Sequence, residues 1–253
     1  METLEGRHAV LAALRARVRR IEVILLKVGI HAEAVSEIIS LAETMGIPLR
    51  RVGREELDAI THGRTHGGVV AVAGPKPRTT PEQLCALLDS MDRPPLLLLI
   101  EGVDDARNLG FTLRTALSLG ADAVLIKKHL WDLDPIEIAR PSSGAYELMP
   151  LVQVSDMSPV AQLRKRGLQL IGCIAGVRRT ARQTDLTGGT ILAIGGEKRG
   201  LSGAIRDFCD QLITIPTVPG STSLPLSHAA AIMLYEARMQ RLNTAGTSEP
   251  PGP

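Results

Sequence analysis

Residues 96–116 read LLLLIEGVDDARNLGFTLRTA, and the fold turns on how this stretch divides. Leu96–Ile100 is apolar without alternation and follows the pair Pro94-Pro95. Such a short, bounded run reads as a strand buried on both faces. The polar residues after it include Asp104, Asp105 and Asn108, which are good turn and N-cap residues. A helix therefore opens there, and Arg114 lies on it. Taken alone, Arg114 is an ordinary solvated arginine. At the carboxyl end of a buried parallel strand, where open α/β sheets bind ligands, a functional role becomes equally reasonable.

The same grammar repeats outward. Further strands are expected at 123–126, 151–154, 168–173, 190–194 and 212–215, mostly with helices between them, and a last helix at 226–242. Unalternating strands interleaved with helices predict an α/β fold with a largely parallel sheet covered on both faces. Residues 1–74 form a smaller α/β unit. Helices are expected over 4–16, 32–45 and 54–60, and strands at 21–26, 49–52 and 69–73. Pro75, Pro77 and Pro81 mark 75–94 as a linker. The larger domain then spans 95–242, and the polar, Pro/Gly-rich stretch 243–253 reads as a disordered tail.

Composition narrows the function classes. The 253 residues are 44% hydrophobic and 22% charged, with a formal net charge of +2. That balance permits a polyanionic partner without requiring one. Aromatic residues make up only 2% of the chain, which argues against a base-stacking sheet. Cys85, Cys173 and Cys209 are scattered, so neither a disulfide framework nor a zinc cluster is indicated. The N-terminus lacks a signal-peptide pattern and no apolar run could span a bilayer, which makes cytoplasm the expected location. His62 and His66 have helical spacing, but the glycines around them break a helix and no third ligand follows, so no metal site is expected.

Two more strand ends carry candidate chemistry. Residues 191–202, ILAIGGEKRGLS, place Gly195, Gly196 and Gly200 where a backbone can approach a ligand closely. The spacing is near that of a phosphate loop, but Leu201 stands where the lysine is required, so ATP hydrolysis is rejected. Glu197 is an unusual choice for a turn alone. Residues 215–227, IPTVPGSTSLPLS, bring hydroxyls to the start of the last helix. Ser223 is a plausible N-cap there, and Pro225 is tolerable in a first turn.

Together these three loops resemble the SpoU (TrmH) class of SPOUT RNA methyltransferases. The matching motifs are Asn108-x-Gly110 with Arg114-x-Ala116, then Gly195-Gly196-Glu197 closing at Gly200, then Ile215-Pro216, Gly220 and Ser223-Leu224-x-x-Ser227. The first segment resembles the family's L30e-like RNA-recognition domain through Gly6-Arg7-His8-Ala9-Val10 and 66–71. The resemblance implies a C-terminal parallel-sheet domain with a trefoil knot, a homodimer, and S-adenosylmethionine as methyl donor to a ribose 2′-hydroxyl. It implies cofactor contacts from Gly195, Gly196, Gly200, Ile215 and Leu224, with Ala175 and Gly176 completing the cradle. Arg114 would orient phosphate and stabilise the acceptor oxygen, Asn108 and Glu197 would hold it, and Ser223 and Ser227 would bond across the site.

The RNA would be ribosomal first and transfer RNA second. It would meet a local basic surface such as Arg15–Arg20, Arg50, Arg51, Arg54 and Arg64. One position departs from the family pattern: Pro225 stands where the family has asparagine. An RNA-binding protein of the same fold with weak or no methyl transfer is the alternative that this residue leaves open.

Overall fold

The computed structural model describes residues 1–62, 66–103, 105–127, 133–196 and 198–244. Arg64, Asp104, Glu197 and residues 245–253 of the expected tail lie outside the described residues. The chain forms two units: Met1–Pro77 with Asp134–Leu148, and Arg78–Leu133 with Met149–Pro253.

The first unit is built on strands β1 (Glu2–Glu5), β2 (Ile21–Lys27), β3 (Leu49–Val52) and β4 (Val69–Ala73). Their order is β1-β4-β2-β3, with only β2 and β3 parallel. Successive residues of β2 face opposite sides. Ile24 and Leu26 pack with α1 (Arg7–Ala16) and α2 (Ser36–Thr44), while Leu25 packs with Leu57 of α3 (Arg54–Ile60). The helix expected over 4–16 starts only at Arg7. Glu2–Glu5 instead pair antiparallel with β4, and Gly6, at φ 91°, turns the corner between strand and helix. Likewise, 33–35 form a 3₁₀ turn before α2.

Counting in chain order, α6 (Pro135–Ser142) and α7 (Ala145–Leu148) also belong to this unit. A buried charge cluster fastens them. Arg19 Nε lies 2.8 Å from Glu147 Oε2, both side chains being 1% exposed. Arg19 also pairs with Glu2 at 2.8 Å and donates to the Gly74 carbonyl. Lys76 donates to the Glu147 carbonyl at 3.1 Å and stands over the Tyr146 ring. Burial raises the Glu147 pKa, against the pull of Arg19 and Lys76. Burial also brings Lys76 down to about 8. Arg19 therefore cannot join the basic surface expected at Arg15–Arg20, because its guanidinium is spent inside the protein.

The second unit carries six parallel strands in the order β10 (Gln211–Ile213), β8 (Gln169–Cys173), β9 (Thr190–Ile194), β5 (Leu96–Ile100), β6 (Ala123–Lys127), β7 (Leu151–Val154). Every residue of β5 and β9 is buried. Helices α5 (Ala106–Ser118) and α10 (Leu226–Thr244) pack together on one face. On the other face, α4 (Pro81–Asp89), α8 (Ser158–Lys165) and α9 (Gly203–Phe208) contribute Leu84, Leu88, Val160, Leu163 and Ile205 to a common core. Helix α4 lies inside the stretch expected as a linker. Thr80 and Gln83 form its capping box, and Leu84 and Leu88 anchor it. The last strand covers 211–213 rather than 212–215, because the Thr214 amide turns away to the Arg179 carbonyl.

This strand order places a switch point between β5 and β9. The chain leaves β5 toward β6 and leaves β9 toward β10, in opposite directions across the sheet. The gap so left beyond the carboxyl ends is the standard ligand position of an open α/β sheet.

Glu147→Ala removes the fully buried one of the two carboxylates that face Arg19, and we expect a loss of roughly 3 kcal/mol in denaturant unfolding. Lys76 titrates at 10.5 when free and about 8 when folded. Between those values the unfolded chain holds the extra proton, so this group makes stability rise with pH across that window. The rise, measured as wild type minus Lys76→Met, should vanish if Lys76 stays exposed.

Candidate functional site

The carboxyl ends of β8, β9 and β10 open onto a cleft of about 390 Å³. It gathers Ala175 from beyond β8, Gly195, Gly196 and Gly200 from beyond β9, and Ile215, Ser223 and Leu224 from beyond β10. The wall of the cleft is backbone. A methyl group on Gly195 would overlap the Gly200 carbonyl and the Leu201 nitrogen. One on Gly196 would lie 2.7 Å from the Gly102 oxygen. The loop is closed by the Gly200 amide, which donates to the Gly196 carbonyl at 2.8 Å. Gly195 is thus pressed against Gly200 and Leu201, and Gly196 against the Gly102 that follows β5, with no room for side chains at the two glycines.

Thr214, Thr217 and Leu226 complete the lining, and Arg199 and Arg206 bring positive charge to it. Cys173 sits at the base, where burial pushes its thiol up to about 11, so it is a neutral wall and not a nucleophile. Gly176 is exposed at φ 83° and is not part of the lining. A second recess of about 440 Å³ shares Gly196, Arg199 and Gly200 with the cleft and is walled further by Glu101, Gly102, Val103, Lys198 and Ser202.

The α5 residues are on the helix that follows β5. Asp105 caps the helix by accepting from the Arg107 amide at 2.7 Å. The Asn108 carbonyl accepts from the Thr112 hydroxyl. Arg114 is exposed further along the same helix. Neither Asn108 nor Arg114 lines the cleft. Ser227 is buried in the first turn of α10, 3.4 Å from His228 Nδ1. The Pro225 carbonyl takes the amides of His228 and Ala229 at 3.0 Å each. Pro225 is exposed, and the lining passes from Leu224 to Leu226 without it.

The sequence reading missed Arg199, Arg206, Thr214 and Thr217 as lining residues, and missed Glu101. For Glu101 a signal was present: it is the first residue after a buried strand. His62 pairs with Glu5, and His66 is buried against Asp58 at 2.9 Å. Among the described residues no three His, Cys, Asp or Glu side chains gather as a metal site. The expected basic surface is partly neutralised, since Arg15, Arg20, Arg50 and Arg54 each pair with a carboxylate.

A parallel sheet covered on both faces, with a cleft at the carboxyl ends of β8, β9 and β10, defines an α/β domain suited to holding a small ligand beyond its strand ends. Residues 95–235 match the SpoU rRNA Methylase family, and residues 3–79 match the RNA 2′-O ribose methyltransferase substrate binding family. This chain belongs to the SpoU rRNA methylase family. It is 36% identical over 242 residues to the 23S rRNA (guanosine-2′-O-)-methyltransferase RlmB of Pseudomonas syringae pv. tomato, covering 95% of this chain and 96% of that one. It is 30% identical to RlmB of Escherichia coli K12, covering 95% and 99%. The fold matches the SpoU methyltransferase AviRb from Streptomyces viridochromogenes, solved with AdoMet, at a TM-score of 0.78 and 22% identity, over 95% of this chain and 90% of that one.

Gly195→Ala should cost about 3 kcal/mol or more in thermal unfolding, because backbone cannot yield as a core side chain does. Gly176→Ala meets nothing within 4 Å and suffers only its positive φ, for about 1–2 kcal/mol.

Proposed function

We propose that this protein transfers a methyl group from S-adenosylmethionine to the 2′-hydroxyl of a guanosine in 23S ribosomal RNA. The observation that carries this reading is the convergence of the loops after β8, β9 and β10 on one cleft in a chain that spans nearly all of the RlmB proteins. The cleft fits the methyl donor in size and chemistry. Its volume suits a nucleoside-sized ligand. Its flat glycine wall leaves backbone groups of Gly195 and Gly196 at the surface, and Ile215 and Leu224 offer apolar contact for a purine.

When bound, S-adenosylmethionine supplies a methyl group already activated on a sulfonium. The protein is left to position the acceptor and favour loss of its proton. Arg114 takes that role: its guanidinium remains charged, orients an acceptor phosphate, and stabilises the 2′-oxygen as its proton passes to solvent. Asn108 and Glu197 position Arg114 and the acceptor. Ser223 and Ser227 bond across the site. Holding both partners in line provides much of the rate.

The first unit serves RNA recognition through shape and charge, with Arg17 and Arg51 exposed on it. We also infer the family's trefoil knot, a cytoplasmic location alongside ribosomes, and a homodimer. The dimer is supported by exposed apolar side chains on the paired helices: Phe111 on α5, and Ile232 and Tyr235 on α10. The placement of Pro225 outside the cleft lining favours an active enzyme over a binding-only relative.

The test is calorimetry with S-adenosylmethionine followed by transfer of labelled methyl into undermethylated ribosomal RNA. Arg114→Ala should lower transfer by at least about 100-fold while leaving cofactor affinity within about threefold. Pro225→Asn should leave the rate of transfer within about threefold. Cofactor binding without any RNA labelling would sink the enzyme reading.

A further inference from the structure

We infer that Glu101 is a positioning residue for the cofactor cleft, acting as a carboxylate clamp at the ends of the glycine loop. This rests on the methyltransferase reading above and extends it to a residue in neither that mechanism nor the lining of the cleft.

The geometry is specific. Glu101 Oε2 accepts from the Ser202 backbone amide at 2.6 Å, and Oε1 accepts from the Ser202 hydroxyl at 2.7 Å. Lys127 Nζ lies 3.8 Å from Oε1. The carboxylate is mostly buried, with its side chain 14% exposed. Both oxygens are therefore engaged by one residue, a bidentate arrangement stronger than a neutral hydrogen bond.

Ser202 passes the constraint onward. Its hydroxyl accepts from the Ile205 amide at 3.4 Å and so caps α9. Leu201 beside it is buried in the core. The Glu101 amide donates to the Ile194 carbonyl at 3.1 Å, tying the end of β5 to the end of β9 just before the loop begins. The 195–200 loop is thus gripped at its start by the Glu101 main chain and just past its end by the Glu101 carboxylate. Gly102 presses on Gly196 between them. Because Gly195, Gly196 and Gly200 of this loop line the cofactor cleft, a loosened clamp should widen the ground-state ensemble of that wall. The loss should appear in donor binding more than in the chemical step.

The exchange Glu101→Gln is nearly isosteric but chemically wrong. An amide carries no charge, and with its oxygen on the Ser202 amide it turns an NH₂ toward the Ser202 hydroxyl, which must switch from donating to accepting. The experiment uses the full chain, labelled S-adenosylmethionine and undermethylated ribosomal RNA. For Glu101→Gln, KM and calorimetric Kd for S-adenosylmethionine should rise by about tenfold, the worth of one charge-assisted hydrogen bond. kcat at saturating donor and KM for RNA should change by less than about threefold. Ser202→Ala keeps the backbone donor and should give a smaller shift in the same direction, about threefold. The double variant should be no worse than Glu101→Gln, since the two side chains act as one unit.

A merely structural role predicts a different pattern: a lower fraction of active enzyme, seen as reduced kcat with KM and Kd unchanged. That pattern, or unchanged donor affinity in both single variants, overturns the inference. If Glu101→Gln does not fold, Ser202→Ala decides alone on the same criterion. Absence of donor binding by the wild-type protein is a separate outcome, which removes the proposed function and this inference with it.

Discussion

No side chain fits at Gly195. The backbone of residues 200 and 201 occupies the space that a Cβ would need, and the backbone of Gly102 occupies most of the space beside Gly196. This contact of main chain with main chain is what the rest of the second unit is arranged to hold. It requires β5 and β9 to be neighbours although 89 separate residues of chain, 101–189, run between them. It requires a buried, regular sheet behind it, because only a stiff support keeps two unprotected loops in register. At the two glycines it also leaves main chain and no side chain at the cleft, which makes that part of the wall depend on backbone geometry.

Much of this was legible in the sequence because the signals are local. Leu96–Ile100 and Thr190–Ile194 announce buried strands by composition alone, and the glycines and hydroxyls after the strands mark the ligand end of a parallel sheet. The loops at 195–200 and 215–224 then meet as their position at strand ends requires. What could not be read was non-local. Glu2–Glu5 has no strand-like composition; it becomes a strand because β4 offers it an edge. Arg19 sits in a stretch of four arginines that looks solvated, yet Glu147, far along the chain, draws it into the interior. Thr214 and Arg206 line the cleft through folds of the chain that no spacing rule records. Glu101 is the intermediate case: its position after a strand was visible, but its partner lies across the loop.

Charge is used inward as much as outward in this protein. Several arginines of the first unit are matched by carboxylates within the same unit, so the small net charge does not collect into one uniform basic face. Exposed ion pairs of this kind contribute little to stability. They do keep the surface field local, so attraction to a polyanion depends on where the exposed arginines lie more than on net charge.

The composition of the first unit from two separate pieces of chain has a consequence for biosynthesis. Residues 1–77 leave the ribosome first, but Asp134–Leu148, which complete the unit, cannot arrive until residues 78–133 have been made. During that interval Arg19 has Glu2 and the Gly74 carbonyl to meet but not Glu147, and the surface that Tyr146 and Glu147 will cover stays open to water. The N-terminal unit is therefore not finished when its own sequence is, in contrast to the usual order in which domains close one after another as they emerge. Its last step waits for β5 and β6 to have been made, so the nascent chain cannot complete one half of the molecule without having begun the other.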